Sequence, residues 1–85
     1  MGTKKDIMKI EIKLLTQLKQ YLPDSMENGG PLEIAEPATV KHVLEKLGIP
    51  LDTPKIIMLN DRQGALEDEV ATGDRVTLFP PVGGG

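Results

Sequence analysis

The chain has 85 residues with no cysteine, one histidine, two aromatic residues and a net charge of −3 at pH 7. This length fits one small domain over residues 1–85, because domains usually have roughly 100–150 residues. The missing thiols exclude disulfides, thiolate metal sites and a cysteine nucleophile, and a single histidine excludes a multi-histidine metal site. The acidic balance argues against a nucleic-acid binder. The sequence has no apolar run of membrane length and no signal-peptide pattern, so we expect a cytoplasmic protein without a membrane partner.

The N-terminal part predicts a strand followed by an irregular connection. Residues 1–6 form a polar leader, and Met8 is a second candidate start. From Met8 to Leu14 apolar residues alternate with charged ones, which is typical of a half-buried strand. Residues 16–22 predict either a short helical turn or a loop.

A second strand is predicted after a glycine pair. Gly29-Gly30 is interpreted as a flexible turn, because it precedes Pro31 and lacks the spacing of a phosphate-binding loop. Residues 32–36 alternate again and predict a strand that stops at Pro37. The two strands are expected to form an antiparallel hairpin with a long loop.

The most clearly predicted helix covers residues 40–47. Its apolar residues recur at i, i+3, i+4 and i+7 and form one stripe. Thr39 precedes the helix as a candidate N-cap. Gly48 supplies the left-handed residue that ends it, and Pro50 prevents its continuation.

The C-terminal half predicts two further strands. Residues 55–59 form a nearly continuous apolar run, which indicates a central buried strand, and Gly64 is expected to supply the positive φ of the turn after it. A turn at residues 73–74 leads to the last strand, residues 75–79. Together the elements predict an α+β fold, a mixed sheet of four to five strands packed on one main helix.

Several residues with reactive side chains lack the partners that their chemistry needs. His42 lies on the polar face of the predicted helix and is interpreted as a solvated surface residue. Ser25 is the only serine, and the sequence fixes no base or orienting group beside it. The acidic segment 61–74 lacks the spacing of a calcium loop, so it indicates either a solvated face or a docking patch for a basic partner. No metal site is predicted.

The C-terminus carries the most informative pattern. The strand over residues 75–79 is followed directly by Pro80-Pro81, which lack the N–H groups that a sheet ladder needs, and the last three residues are glycines. Glycine permits a close approach of the backbone to a ligand, so a narrow channel in another protein could admit this tail. A frayed end is the alternative, but a Pro-Pro-Val spacer is stiff and apolar, unlike a flexible linker. Residues 80–85 therefore predict an extended tail with a flexible glycine end.

Several segments together resemble the MoaD/ThiS sulfur-carrier family, which has the ubiquitin-like β-grasp fold. This family includes the small subunit of molybdopterin synthase and the sulfur carrier of thiamine biosynthesis. One departure is Asp61, which stands where the family commonly has the glycine of an Asn-Gly turn. The resembling segments are MKIEIKLL, ATVKHVLEKLGIP, KIIMLNDRQG and, as the most specific, VATGDRVTLFPPVGGG.

The resemblance implies a sulfur carrier and not an enzyme, at most the non-catalytic small subunit of a synthase. In such families a ubiquitin-activating-like adenylyltransferase supplies ATP and magnesium and adenylates the C-terminal carboxylate, here that of Gly85. A sulfur donor then converts the adenylate to a thiocarboxylate, which gives its sulfur to a cofactor precursor in an acceptor synthase subunit. Gly83 and Gly84 would thread the partner's channel. The apolar anchor at the mouth of that channel would be Phe79, Pro80, Pro81 and Val82.

Two pathways and two other functions fit the same features. The short segment 48–54 resembles the thiamine carrier, whereas the FPPV tail resembles the carrier for molybdopterin or a related tungsten cofactor. A ubiquitin-like modifier that is conjugated to target proteins through Gly85 would share the fold and the activation step. A plain β-grasp binding module would share the fold alone.

Overall fold

Seven strands, one α-helix and one 3-10 helix make up the part of the chain that the computed structural model describes, residues 7–23, 26–53 and 55–81. No helix within these residues is long and apolar enough to span a bilayer. The predicted polar leader, residues 1–6, lies outside the described residues. The elements in chain order are β1 (Ile7–Leu14), the 3-10 helix (Thr16–Tyr21), β2 (Gly29–Ala35), β3 (Ala38–Thr39), α1 (Val40–Leu47), β4 (Ile56–Leu59), β5 (Arg62–Gln63), β6 (Glu69–Val70) and β7 (Arg75–Phe79).

Five of the strands form a mixed sheet in the order β2-β1-β7-β4-β5. β1 runs antiparallel to β2 and parallel to β7, and β7 runs antiparallel to β4. The first and last long strands of the chain are therefore neighbours at the centre of the sheet. The predicted mixed sheet on one helix is confirmed, as is the hairpin of the first two strands.

The hydrophobic core lies between one face of this sheet and α1. Alternation along β1 places every second side chain in the core, with an exposed fraction of 5% or less, as the sequence predicted. α1 adds Val40, Val43 and Leu44, all with no exposed surface. No polar or charged side chain of the described residues is buried. Because α1 packs against one face of the sheet, it does not cover the opposite face.

The interpretation of Gly29-Gly30 as a flexible turn is wrong. Both glycines belong to β2, opposite Lys13 and Ile12 of β1, so the strand begins three residues earlier than predicted. The reason lies in the close approach of the two strands, because a Cβ atom on Gly29 would overlap the backbone carbonyl of Ile12. This glycine makes room for a neighbouring strand.

The turn after β4 is also built differently from the prediction. Asn60 and not Gly64 adopts the positive φ, at 59°, which the short polar asparagine tolerates. Gly64 instead lies against the core, where an added Cβ would come within 3.1 Å of the Cβ of Leu59. The two-residue strand β5 begins directly after this turn and pairs back onto β4.

A small second sheet, β3 paired with β6, was not predicted. It connects the start of α1 to the acidic segment, since the N–H of Val40 donates to the carbonyl of Asp68 at 2.9 Å. Strands of two residues show no periodicity, so the sequence gives no signal for them.

The helix itself is confirmed at both ends. α1 spans Val40–Leu47, with Thr39 in the N-cap position in an extended conformation. Gly48 ends it in the left-handed region with φ at 81°, and its N–H donates to the carbonyls of Leu44 and Glu45.

Candidate functional site

The predicted tail leaves the sheet at the end of β7. Phe79, the last residue of β7, pairs with Ile56 of β4 and is half-buried. Pro80 is half-buried and Pro81 is exposed, and neither belongs to a strand. The remaining predicted site residues, Val82 to Gly85, lie outside the described residues. The structure thus places the base of the predicted anchor at the centre of one end of the sheet.

An open groove of about 460 Å³ lies at this tail base. The 3-10 helix forms one wall, the loop that follows α1 contributes to the other, and the two prolines of the tail complete the lining. The lining residues are Gln17, Leu18, Gln20, Tyr21, Thr53, Pro80 and Pro81. This groove could not be predicted from the sequence, because its two walls are distant from each other in the chain.

The 3-10 helix is fixed to the end of the sheet by its first turn. The N–H of Leu15 donates to the carbonyl of Leu78 at 3.1 Å, and the side chain of Leu18 is buried. Between them Thr16 adopts a φ of 51°, in a region that a β-branched residue rarely occupies. Thr16 therefore marks the change of backbone conformation between β1 and the 3-10 helix.

The loop wall is held by Lys55. The ammonium group of this residue donates to the backbone carbonyls of Leu51, at 3.0 Å, and of Thr53, at 2.5 Å. Partial burial lowers the pKa of Lys55 from its ordinary value, and the nearby carboxylate of Asp52 raises it in opposition. The net lowering indicates that desolvation outweighs the attraction to Asp52 at this position.

A second feature adjoining the tail base is the open face of the sheet. Ile56 and Met58 of β4 and Thr77 and Phe79 of β7 alternate with core residues, and all four are half-buried. KIIML was predicted as a central strand without a distinction between its two faces, so the prediction did not identify this surface. The alternation of Ile56 and Met58 with Ile57 and Leu59 was the available signal, since a single helix covers only one face of a sheet.

Charged side chains border this open face. A shallow depression of about 390 Å³ is lined by Met58 and Thr77 together with Lys13, Asn60, Asp61 and Arg75. The guanidinium of Arg75 lies 3.3 Å from the carboxylate of Asp61, with both side chains more than half exposed, so this ion pair contributes little to stability. The two charged side chains form a polar rim along one edge of the apolar surface.

The other residues considered from the sequence do not join this site. The backbone N–H of Thr39 donates to the Nδ1 atom of His42 at 2.9 Å, so the exposed histidine caps the start of α1. Ser25 lies outside the described residues. Within the acidic segment, the carboxylates of Asp68 and Asp74 accept hydrogen bonds from the N–H groups of Ala65 and Ala71. These two carboxylates stabilise turns, and the structure favours a structural role for them over a docking role.

Comparison with known proteins gives matches that agree with this geometry. A family model described as Mut7-C ubiquitin matches residues 7–83. SAMP1 from Haloferax volcanii is similar in structure, with a TM-score of 0.69, 26% identity, and coverage of 91% of this chain and 99% of that one. The search of curated proteins gave no match.

Two further solved structures share the fold. The HVO 2177 protein of Haloferax volcanii superposes with a TM-score of 0.76 and 22% identity, covering 99% of this chain and 92% of that one. A putative molybdopterin converting factor, subunit 1, from Pyrococcus furiosus gives a TM-score of 0.70 and 22% identity, covering 88% of this chain and 99% of that one. The ubiquitin-like β-grasp fold expected from the sequence is thereby confirmed.

Proposed function

The chain belongs to the Mut7-C ubiquitin family, and from this premise we propose that it is a sulfur carrier whose working group is the C-terminal carboxylate of Gly85. The observation that carries the proposal is the LFPPVGGG ending, whose first two residues, Leu78 and Phe79, belong to the central strand β7. The similarity in fold to a putative molybdopterin converting factor subunit supports it.

The chemistry takes place on this one carboxylate. A carboxylate oxygen of Gly85 attacks the α-phosphate of ATP, the bond to pyrophosphate breaks, and an acyl-adenylate forms. The terminal sulfur of a persulfide then attacks the acyl carbon, and AMP leaves with its bonding electrons. Reduction of the resulting acyl disulfide by a thiol leaves the thiocarboxylate on Gly85 and forms a disulfide in the donor. ATP and magnesium belong to an adenylyltransferase partner, and the chain binds no cofactor of its own.

The chain's own contribution is to present the tail. Gly83 and Gly84 enter a narrow channel of the partner because they have no side chains. Phe79 and Pro80, with Pro81 and Val82, pack at the mouth of the channel, where burial of apolar surface contributes about 25 cal/mol per Å². The half-buried side chains on the open face of the sheet extend this apolar contact.

The place of the chain in metabolism follows from the same chemistry. In the cytoplasm, the thiocarboxylate gives its sulfur to a precursor of molybdopterin, of a tungsten cofactor or of thiamine, held in an acceptor synthase subunit. In that complex the chain is a co-substrate or a non-catalytic small subunit, since the reacting group is consumed and renewed.

A second function has an observation in its favour. SAMP1 is 26% identical to this chain, and the protein of a related structure is named a small archaeal modifier protein. A modifier would use the same adenylate but transfer the carbonyl of Gly85 to a lysine amine of a target protein. Both functions therefore require the terminal glycines and an activating partner.

Deleting Gly84 and Gly85 tests the activation step that both functions need. The truncated chain should keep the thermal unfolding midpoint of the full chain, because the deletion removes no core residue. It should lose all ATP–pyrophosphate exchange with the ubiquitin-activating-like adenylyltransferases of the source organism, each tested as a purified protein. If the truncated chain supports exchange as well as the full chain does, the proposed mechanism is wrong.

A further inference from the structure

We propose that the groove between the 3-10 helix and the loop after α1 is a docking site for an uncharged, extended main-chain segment at the rim of the activating partner's channel. This inference rests on the proposed function and deepens it, because it names the surface by which the partner holds the base of the tail.

The position of the groove brings it close to the proposed reacting group. Pro80 and Pro81 line the groove, and the four residues from Val82 to Gly85 reach at most about 14 Å when fully extended. A partner that encloses the carboxylate of Gly85 must therefore approach the tail base closely. The groove adjoins that approach, because both prolines of the tail base belong to its lining.

The chemistry of the lining matches that of a peptide backbone. Gln17 and Gln20 are exposed, and their amide groups both donate and accept hydrogen bonds, as a peptide backbone requires. Thr53 and Tyr21 add hydroxyl groups, and the prolines add apolar surface. The chain is 27% charged overall, yet among the described residues those that line the groove include no lysine, arginine, aspartate or glutamate. This composition suits a neutral polypeptide and not a phosphate, a nucleotide or a charged segment.

Both walls of the groove are held in place before any partner binds. The 3-10 helix is tied to β7 through Leu15 and anchored by the buried Leu18, and Thr16 keeps a φ of 51° beside it. Residues in such rare backbone conformations cluster at functional sites, where the surrounding structure maintains them. Lys55 fixes the other wall through the carbonyls of Leu51 and Thr53. A preorganised groove loses less conformational entropy when a partner binds.

The test measures KM and kcat of the full-length chain in ATP–pyrophosphate exchange, with the purified adenylyltransferase that accepts the wild type. The double substitution Gln17→Ala with Gln20→Ala should raise KM about tenfold and leave kcat unchanged, because it removes docking contacts and not the reacting group. The matched control is Lys41→Ala with Glu45→Ala on the exposed face of α1, which should keep the wild-type KM. Both double variants should keep the wild-type unfolding midpoint, since all four side chains are exposed.

Each other outcome is informative. An unchanged KM for the groove variant, with an active wild type, overturns the docking site and leaves the proposed function standing. A lower KM overturns it as well, because the groove would then hold the chain's own tail. A fall in kcat at constant KM would assign the glutamines to the chemical step and not to docking. If the wild type itself supports no exchange with any adenylyltransferase of its organism, the proposed function fails and takes the docking site with it.

Discussion

Gly29 of β2 lies so close to the backbone of β1 that it leaves no room for a Cβ atom, so its replacement tests the packing of the sheet directly. Gly29→Ala should destabilise the fold by at least about 2 kcal/mol, because the new methyl group would overlap the carbonyl of Ile12 and force the strands apart. A loss of that size corresponds to a decrease of roughly 8 °C or more in the thermal unfolding midpoint.

The adjacent glycine supplies the matched control for this prediction. A Cβ on Gly30 would meet only side-chain atoms of Met26, from 3.5 Å outward, so Gly30→Ala should change the unfolding midpoint little. Equal unfolding midpoints for the two variants would show that the fold does not require glycine at position 29.

His42 is the second residue with a specific expected effect. His42→Ala should lower the free energy of unfolding by about 0.5–1 kcal/mol, because the N–H of Thr39 would lose its acceptor at the start of α1. His42→Gln should retain most of that stability, since glutamine at this position also reaches back to the N-cap. Both variants should keep the wild-type rate of pyrophosphate exchange, and a large loss of rate in a folded His42→Ala protein would identify a missed site.

At the residue scale, some positions could be predicted from the sequence and others could not. The inward positions of β1 and the cap glycine Gly48 followed from local rules of periodicity and helix termination. The need for glycine at position 29 arises from a carbonyl 17 residues earlier in the chain, which no local pattern contains. The capping contact of His42 was within reach of the sequence, because it spans only three residues of the chain.

At the scale of elements, β4 presents different chemistry on its two faces. Met58 lies half-buried on the open face, whereas Leu59 is 2% exposed and faces the core. Met58→Asp should leave the protein folded and weaken the partner interaction, because a carboxylate would be desolvated when the apolar surface is covered. The readout is KM in pyrophosphate exchange, which should rise.

Leu59→Asp is the control that separates binding from folding. A carboxylate in the core should cost more than about 4 kcal/mol, which is close to the whole stability of many small proteins. Circular dichroism should therefore show an unfolded chain for Leu59→Asp and a native one for Met58→Asp. A folded Met58→Asp protein with the wild-type KM would remove the open face from the proposed interface.

The elements also show why part of the site escaped prediction. The helix, the long strands and their order could be predicted, because each has a period of its own and turn residues at its ends. The groove at the tail base is lined by a 3-10 helix and a loop that are distant in the chain. They come together because β1, β4 and β7 belong to one sheet. The groove's residues are glutamine, leucine, threonine, tyrosine and proline, which form no recognisable motif in the sequence.

At the scale of the whole molecule, the small size and the missing thiols agree with the proposed role. A carrier of 85 residues needs no catalytic cleft of its own, because the activating partner supplies the one in which ATP is bound. Since the chain has no cysteine, it has no thiol that could carry the sulfur, which agrees with the proposal that the carboxylate of Gly85 carries it.

The same composition gives the most direct measurement of the central claim, which is the intact mass of the protein isolated from its source organism. We predict a species heavier than the unmodified chain by the difference between one sulfur and one oxygen atom. This species should react once with iodoacetamide, because the chain has no cysteine and a thiocarboxylate is its only expected thiol-like group. A chain recovered only unmodified, or joined through Gly85 to lysines of other proteins without the sulfur-bearing species, would contradict the account.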